Sequence, residues 1–314
     1  KSLNLKNLEP IYEIPKKLYY RESKKNNFLN KILNRKDKIH IYNLIKKNVN
    51  VDLYDYIFFS SYEEISLYFS NLNKDMILLN HINLVGFEES KIKKFFLKKL
   101  FRKNKIVVLE PYMKEYLKKI ENYDIEVLRH PLVEKFSVEL NNKLFLEEEK
   151  YKKIIFSPSA TSCDENFIKK IIESEELLKV LEKNETLVII KSKFHSFENK
   201  YIKVIKNYLR EEEYKYYFSK STGILLPYEI NFKNRVSGIL FEAISNEKIV
   251  YLKNVQGLNY YSEMNSKIFK NFTTIEDLIE LLNQNHEIDI NEFENIKKNY
   301  SNEALKTSLK NIFK

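Results

Sequence analysis

The chain has 314 residues, longer than a typical single domain, so two domains of similar size are the expectation. Its formal net charge is +10, from 54 Lys+Arg against 44 Asp+Glu, yet acidic runs such as Glu147-Glu148-Glu149 and Glu211-Glu212-Glu213 are scattered through it and no nucleic-acid recognition motif accompanies the charge. One cysteine, Cys163, excludes an internal disulfide framework and a Cys-rich zinc site, and 4 glycines leave no Gly-x-Gly-x-x-Gly or P-loop, so dehydrogenase and ATPase readings fall away.

No segment approaches the roughly 20 unbroken apolar residues of a membrane-spanning helix. The chain therefore reads as soluble or peripheral, with a reducing cytoplasm as its simplest setting. It opens on Lys1 rather than Met, which leaves room for a preceding strand or targeting segment.

In chain order, Ile39 to Leu44 reads as a strand or as a buried helix segment. Tyr56 to Phe59 is the first clear strand, and the Ser60-Ser61-Tyr62-Glu63-Glu64 run after it has the pattern of a capping box. Met76 to Leu79 follows as a strand, then a basic helix, then Ile106 to Leu109 as a strand. Another helix opens at Pro111, and Ile125 to Leu128 closes the series before Arg129-His130-Pro131. Such βα repeats imply a parallel sheet with right-handed crossovers. His81 falls just past a strand, at the ligand edge of this first unit, where it is a candidate to touch a ligand; an ordinary loop histidine is the alternative.

The basic helix spans Lys91 to Lys105. Ile92, Phe95, Phe96 and Phe101 fall on or near one face, and Lys93, Lys94, Lys98 and Arg102 crowd the remainder. Such a helix either docks on an anionic membrane through its cations or packs its Phe face on the sheet with a solvated Lys face.

Pro131 to Glu149 loses the periodic pattern and is the expected hinge, dividing a first domain of residues 1–135 from a second of residues 136–314. Ile154-Ile155-Phe156 opens the second as a strand, followed by a Ser/Thr-rich turn and a helix near Asp164. Leu187 to Ile190 is a strand ending in Lys191-Ser192-Lys193, with His195 just beyond it. Next come a helix from about Phe197 to Arg210 and a strand from Tyr214 to Phe218. Gly223 to Leu226 and Ile249 to Leu252 are strands flanking a helix that opens at Ser237-Gly238. The tail after Thr274 is helical in pattern.

This last strand-helix-strand unit carries the chemistry. A helix start at the carboxyl edge of a parallel sheet offers free N–H groups to a phosphate, and Gly238 lets the ligand approach. Glu242 lies a little over one turn further on, in position for a ribose, and Arg235 offsets diphosphate charge.

The runs Leu226-Pro227-Tyr228-Glu229, Arg235-Val236-Ser237-Gly238 and Phe241-Glu242-Ala243-Ile244 resemble the donor segment of bacterial GT-B glycosyltransferases related to glycosyltransferase family 4. Arg129-His130-Pro131-Leu132 resembles the family's His-Pro element leading into the donor domain. The resemblance implies an α/β chain of two Rossmann-like domains with parallel sheets facing a central cleft, the first on the acceptor side and the second binding the nucleotide-sugar. It implies that Ser237 and Gly238 contact the diphosphate, that Glu242 holds the ribose, and that Glu229 stands near the donor sugar as the first acid of a paired-glutamate motif. The Gly-Arg and Lys that many members use to grip the donor phosphates are replaced here by a Ser/Thr loop. Lys191, Lys193 or Arg235, or the hydroxyls and helix start after Ser162, then take their place.

The expected activity is metal-independent transfer of a sugar from a nucleotide-sugar to a hydroxyl of a growing cell-surface glycan, such as capsule or lipopolysaccharide, free or lipid-linked. The nucleotide-sugar is substrate, no cofactor is expected, and five dispersed histidines without an Asp-x-Asp element argue against a catalytic metal. The inner face of the plasma membrane is the expected site of action. A GT-B-like nucleotide-sugar epimerase and a non-catalytic nucleotide-binding protein are the competing classes.

Overall fold

The computed structural model describes residues 28–136 and 150–314, and the chain divides into two compact units between Val127 and Leu128. In the first unit, helix α1 (Phe28–Asn48) leads through a short 3-10 turn at Val51–Leu53 into β1 (Ile57–Phe59). Then come α2 (Glu64–Phe69), β2 (Met76–Asn80), α3 (Lys91–Phe101), β3 (Lys105–Val108), α4 (Pro111–Lys118) and β4 (Ile125–Val127). The four strands lie in the order β1-β2-β3-β4, and every pairing is parallel. Ile77 and Leu78, adjacent residues pointing to opposite faces, are both fully buried, as are Ile106, Val107 and Val108. Burial on both faces is why these strands read as unbroken apolar runs rather than alternating ones. The ambiguous Ile39 to Leu44 segment is helical, lying within α1.

Helix α3 is amphipathic, with Phe101 buried as expected and the rest of its buried stripe shifted from the expected one. Leu97, Leu100 and Phe101 are its buried residues, whereas Ile92 is 63% and Phe95 53% exposed. Leu97 and Leu100, at helical spacing, point into the unit and turn Phe95 outward against Phe96.

The second unit contains β5 (Lys153–Ser157), α5 (Glu165–Glu173), α6 (Glu175–Lys183), β6 (Thr186–Lys191), β7 (Phe197–Glu198) and β8 (Ile202–Ile205). It continues with α7 (Glu211–Lys220), β9 (Gly223–Leu226), α8 (Gly238–Ser245), β10 (Ile249–Lys253), α9 (Gln256–Met264) and β11 (Phe269–Phe272). Helices α10 (Ile275–Asn283), α11 (Ile290–Lys298) and α12 (Asn302–Ile312) make the helical tail. The sheet runs β11-β10-β9-β5-β6-β8-β7, parallel except for the edge strand β7. Without β7 this is the strand order of a doubly wound nucleotide-binding sheet. The direction of winding reverses between β5 and β9, so a crevice for ligand opens above their carboxyl ends.

Two elements exchange type relative to the sequence expectation. The segment expected as a helix from Phe197 forms β7 and β8, because the Asn199 side chain accepts hydrogen bonds from the Tyr201 and Ile202 N–H groups (2.9 and 2.8 Å) and turns the chain. Tyr214 to Phe218, expected as a strand, lies in α7. The Arg210 N–H donates to Glu213 Oε2 (2.8 Å), and three glutamates fill the first turn. That start overrides the β preference of the aromatic run. Gly223 is required by packing: a Cβ there would stand 2.7 Å from the Tyr251 ring.

Candidate functional site

The loops following β5 and β9 are laced together at the winding reversal. The Asp164 N–H donates to the Pro227 carbonyl (2.7 Å) and the Glu229 N–H to the Ser162 carbonyl (3.0 Å), while Cys163 and Tyr228 form an antiparallel bridge. Cys163 is buried, its thiol bonded to the Ser159 carbonyl and pushed up to about 12, so it is a structural residue rather than a nucleophile.

Helix α8 opens at this crevice. Ser237 is its N-cap; its hydroxyl accepts from the Leu240 N–H (3.3 Å) and shares a 2.9 Å hydrogen bond with the buried Tyr228 hydroxyl. Both interactions occupy the Ser237 side chain. The N–H groups of Gly238 and Ile239 make no hydrogen bond among the described residues. Gly238 is exposed, and a Cβ built on it meets nothing within 4 Å. The first turn of α8 thus presents open donors and open space at its positive end.

Arg235 stands immediately before the cap. Its guanidinium lies 4.9 Å from the Phe232 ring centroid, and Nη1 donates to Ser162 Oγ at 3.4 Å. Glu229 is exposed at the head of the 3-10 turn Ile230–Asn234 and accepts from Asn231 Nδ2 at 3.0 Å. Ser162 therefore receives both Arg235, at its hydroxyl, and Glu229, at its carbonyl.

Glu242 follows Gly238 by four residues and so shares its helix face. Its carboxylate is half-buried and accepts a hydrogen bond at Oε2 from the Tyr214 hydroxyl of α7. Burial raises the Glu242 carboxyl above its ordinary range, against the opposing effect of the Tyr214 bond. Burial, with the adjoining Glu242 charge, also pushes the Tyr214 phenol up, so it stays a proton donor.

The start of α5 was an alternative anion cradle on the sequence. There the Asp164 carboxylate itself accepts the N–H groups of Asn166 and Phe167 (3.0 and 3.1 Å), so a carboxylate already fills the position. Lys253, at the end of β10, pairs with Asp164 Oδ2. Burial works to raise Asp164, but the Lys253 ammonium and the two N–H groups outweigh it and hold the carboxyl below its ordinary range.

The two lysines after β6 part company. The Lys191 ammonium donates to the carbonyls of Ile205 and Lys206 (3.4 and 2.7 Å), so it caps the end of β8 rather than joining the cluster. Burial lowers its pKa. Lys193 is exposed; its N–H donates to Glu165 Oε1 (2.8 Å), and Glu165 Oε2 accepts the Ser192 hydroxyl (2.6 Å) with His195 Nε2 at 3.8 Å.

In the first unit, His81 is exposed directly after β2, as its position predicts. Its loop is pinned from both sides: the Tyr62 hydroxyl donates to the buried Asn80 Oδ1 (2.6 Å), and Asn83 Nδ2 donates to the Tyr62 carbonyl (3.0 Å). Of the α3 cations, Lys93 donates to the Val85 carbonyl (2.7 Å) and Arg102 grips both oxygens of Glu121 (2.6 and 3.0 Å). Lys94 lies 5.7 Å from the Phe87 ring centroid and Lys98 is half-buried.

The structure therefore gathers Glu229, Arg235, Ser237, Gly238 and Glu242 at one crevice, with Lys193 on a neighbouring loop. Ser162, whose loop the sequence offered as an anion cradle, meets Arg235 and Glu229 there, and Tyr214 and Lys253 join them without having been singled out. Only Lys253 carried a sequence signal, as a charge ending an apolar strand.

No family model matches the sequence, and no curated protein matches it. Solved structures do share the fold. A trehalose-6-phosphate synthase superposes with a TM-score of 0.62 at 10% identity, covering 89% of this chain and 77% of its own. A UDP-forming alpha,alpha-trehalose-phosphate synthase from Burkholderia vietnamiensis gives 0.63 at 6% identity, covering 92% and 78%. The E. coli enzyme bound with UDP-2-fluoro glucose gives 0.59 at 9% identity, covering 94% and 78%. At such identities the likeness establishes the architecture alone: the chain has the α/β fold of two Rossmann-like units of GT-B type.

Proposed function

We propose that this chain is a glycosyltransferase that moves a sugar from a nucleotide-sugar to a hydroxyl acceptor. The observation that carries the reading is the open amino end of α8 at the winding reversal, with exposed Gly238 and with Glu242 one turn behind it. Solved structures of the same fold include one described as bound with UDP-2-fluoro glucose, which supports a nucleotide-sugar as the ligand class.

In this reading the diphosphate sits against the Gly238 and Ile239 N–H groups, beside Arg235, and Glu242 accepts a ribose hydroxyl. Negative charge builds on the nucleotide phosphates as the glycosidic bond breaks. Fixed N–H dipoles and a guanidinium then stabilise the transition state more than the ground state, and no metal is required for that step. Glu229 and His81 are the proposed groups at the donor sugar and the acceptor hydroxyl.

A growing surface glycan is the acceptor we favour, on the strength of the basic α3 with Ile92 and Phe95 turned outward, a surface suited to an anionic membrane. Co-sedimentation with phosphatidylglycerol vesicles tests that part separately. A soluble sugar phosphate is the second reading, because one structure of this fold is described as a complex with glucose-6-phosphate.

Calorimetry against a panel of UDP-, GDP- and CMP-sugars tests the donor assignment, and absence of heat with every member overturns it. Incubation with the bound nucleotide-sugar alone separates transfer from epimerisation, since an epimerase interconverts sugars without an acceptor.

A further inference from the structure

Tyr214 reaches the site from α7, outside the segment that forms the helix start. Its ring is held among aromatic neighbours: Phe156 of β5 at 6.0 Å between centroids, Phe218 at 5.7 Å and Phe136 at 6.3 Å. Packed from three directions, the phenol has little freedom to swing, and its hydroxyl is delivered to Glu242 Oε2. Among the described residues that is the only hydrogen bond to the Glu242 carboxylate, so Oε1 is the oxygen that accepts none.

Helical side chains lean toward the amino end, so the Glu242 carboxylate tilts toward the turn that begins at Gly238. A half-buried carboxylate with one oxygen held by a hydroxyl has a defined plane and presents the other oxygen with both of its lone pairs open. We propose that Tyr214 is a positioning residue that fixes Glu242 so that Oε1 alone receives one ribose hydroxyl, making the chain select the ribonucleotide over the deoxynucleotide at that single position. The inference rests on the nucleotide reading of the α8 amino end and adds to it the source of sugar-hydroxyl selectivity. A deoxy analogue lacking that hydroxyl leaves Oε1 desolvated without a donor, which is how a polar site rejects a smaller ligand. Without the Tyr214 hydroxyl the carboxylate is free to turn, and either oxygen meets either ribose hydroxyl.

The affinities of the wild-type chain for UDP, GDP and ADP are measured first by calorimetry. The tightest is then compared with its 2′-deoxy and 3′-deoxy forms, on wild type and on Tyr214→Phe, with melting temperature recorded beside each. In wild type, one deoxy form binds about tenfold or more weakly and the other within about threefold of the parent. In Tyr214→Phe the larger ratio falls to about threefold or less while the melting temperature stays close to wild type. An unchanged ratio in Tyr214→Phe overturns the positioning role, and so does a wild type that treats the two deoxy forms alike. If no ribonucleotide binds wild type, the nucleotide reading itself fails and the selectivity falls with it. Tyr214→Leu, read by the same ratio, serves if the Phe variant does not fold.

Discussion

The His130 imidazole lies flat on the Phe241 ring, with centroids 4.5 Å apart and planes 6° from parallel. Phe241 belongs to α8, and Tyr300 meets its ring edge-on at 5.1 Å while the Arg129 guanidinium lies 5.2 Å from Tyr300. Further along, the Phe136 N–H donates to Asn246 Oδ1 (2.9 Å) and Lys135 pairs with Glu247 (2.8 Å). The segment from Arg129 to Phe136 is thus attached to α8 at its second turn and again just past its end. The buried face of α8 is spent on these contacts and on the sheet, which leaves its amino end and the Gly238–Glu242 face for a ligand.

His130→Ala removes the stack and should lower stability by about 1 kcal/mol, the usual value of such a ring pair, whereas His130→Phe should keep most of it. Urea denaturation reads the difference. Equal stability of His130→Ala and wild type would show that the stack holds nothing in place.

The Lys253–Asp164 pair makes a second prediction. The two side chains are 19% and 25% exposed, so water still screens them, and Lys253→Met should cost about 1 kcal/mol at neutral pH. The Asp164 pKa is lowered in the folded chain, so the stability it contributes is present above the unfolded carboxyl pKa and is lost as pH falls through the folded one. Acidification should therefore close the gap between Lys253→Met and wild type. A gap of constant size from neutral pH to about pH 3 would count against the ion pair.

Much of the architecture is legible in the sequence because parallel strands covered on both faces appear as short apolar runs; Ile154-Ile155-Phe156 and Ile249 to Leu252 are such runs. The Ser237-Gly238-x-x-x-Glu242 face is legible too, since four-residue spacing on a helix is a local property. Lys253 and Asp164 are 89 residues apart in sequence, and only the order of β5, β9 and β10 in the sheet brings them together. Tyr214 was hidden by an error of element type. Its aromatic neighbours favour a strand, and the acidic helix start that decides the matter lies just before them. On α3 the period was legible and the buried stripe only in part: Phe101 is buried, but Leu97 and Leu100 take the interior in place of Ile92 and Phe95. Lys191 sits at the expected strand end, yet the carbonyls of Ile205 and Lys206, at and just past the end of β8, claim its ammonium, a pairing no local pattern encodes.

Gly238 separates folding from binding. Its backbone is helical and a Cβ meets open space, so Gly238→Ala should leave stability unchanged or raise it by up to about 1 kcal/mol. Gly238→Val places bulk where the diphosphate is proposed to lie and should weaken nucleotide-sugar binding by roughly tenfold or more, the scale of a modest steric clash. Parallel melting and calorimetric titration give both readouts. Full affinity in the Val variant would remove the phosphate from this helix end.

Lys248, just beyond α8, supplies a test of pH dependence. Its ammonium donates to the carbonyls of Ser219 and Ser221 (2.8 and 2.7 Å), and burial, with Lys135 nearby, lowers its pKa from 10.5 to about 8. Between those two values the unfolded chain holds a proton at this lysine that the folded chain has released. The unfolded state binds more protons there, so the contribution of Lys248 to stability rises with pH across that window. Lys248→Met loses both carbonyl bonds at every pH and has nothing to titrate. The stability of wild type relative to Lys248→Met should therefore increase between pH 8 and pH 10 in urea melts. Because the tyrosines titrate identically in both proteins, the difference isolates the lysine. A flat difference across that range would mean that the ammonium keeps its ordinary affinity for the proton, and that its two carbonyl bonds compensate fully for its burial.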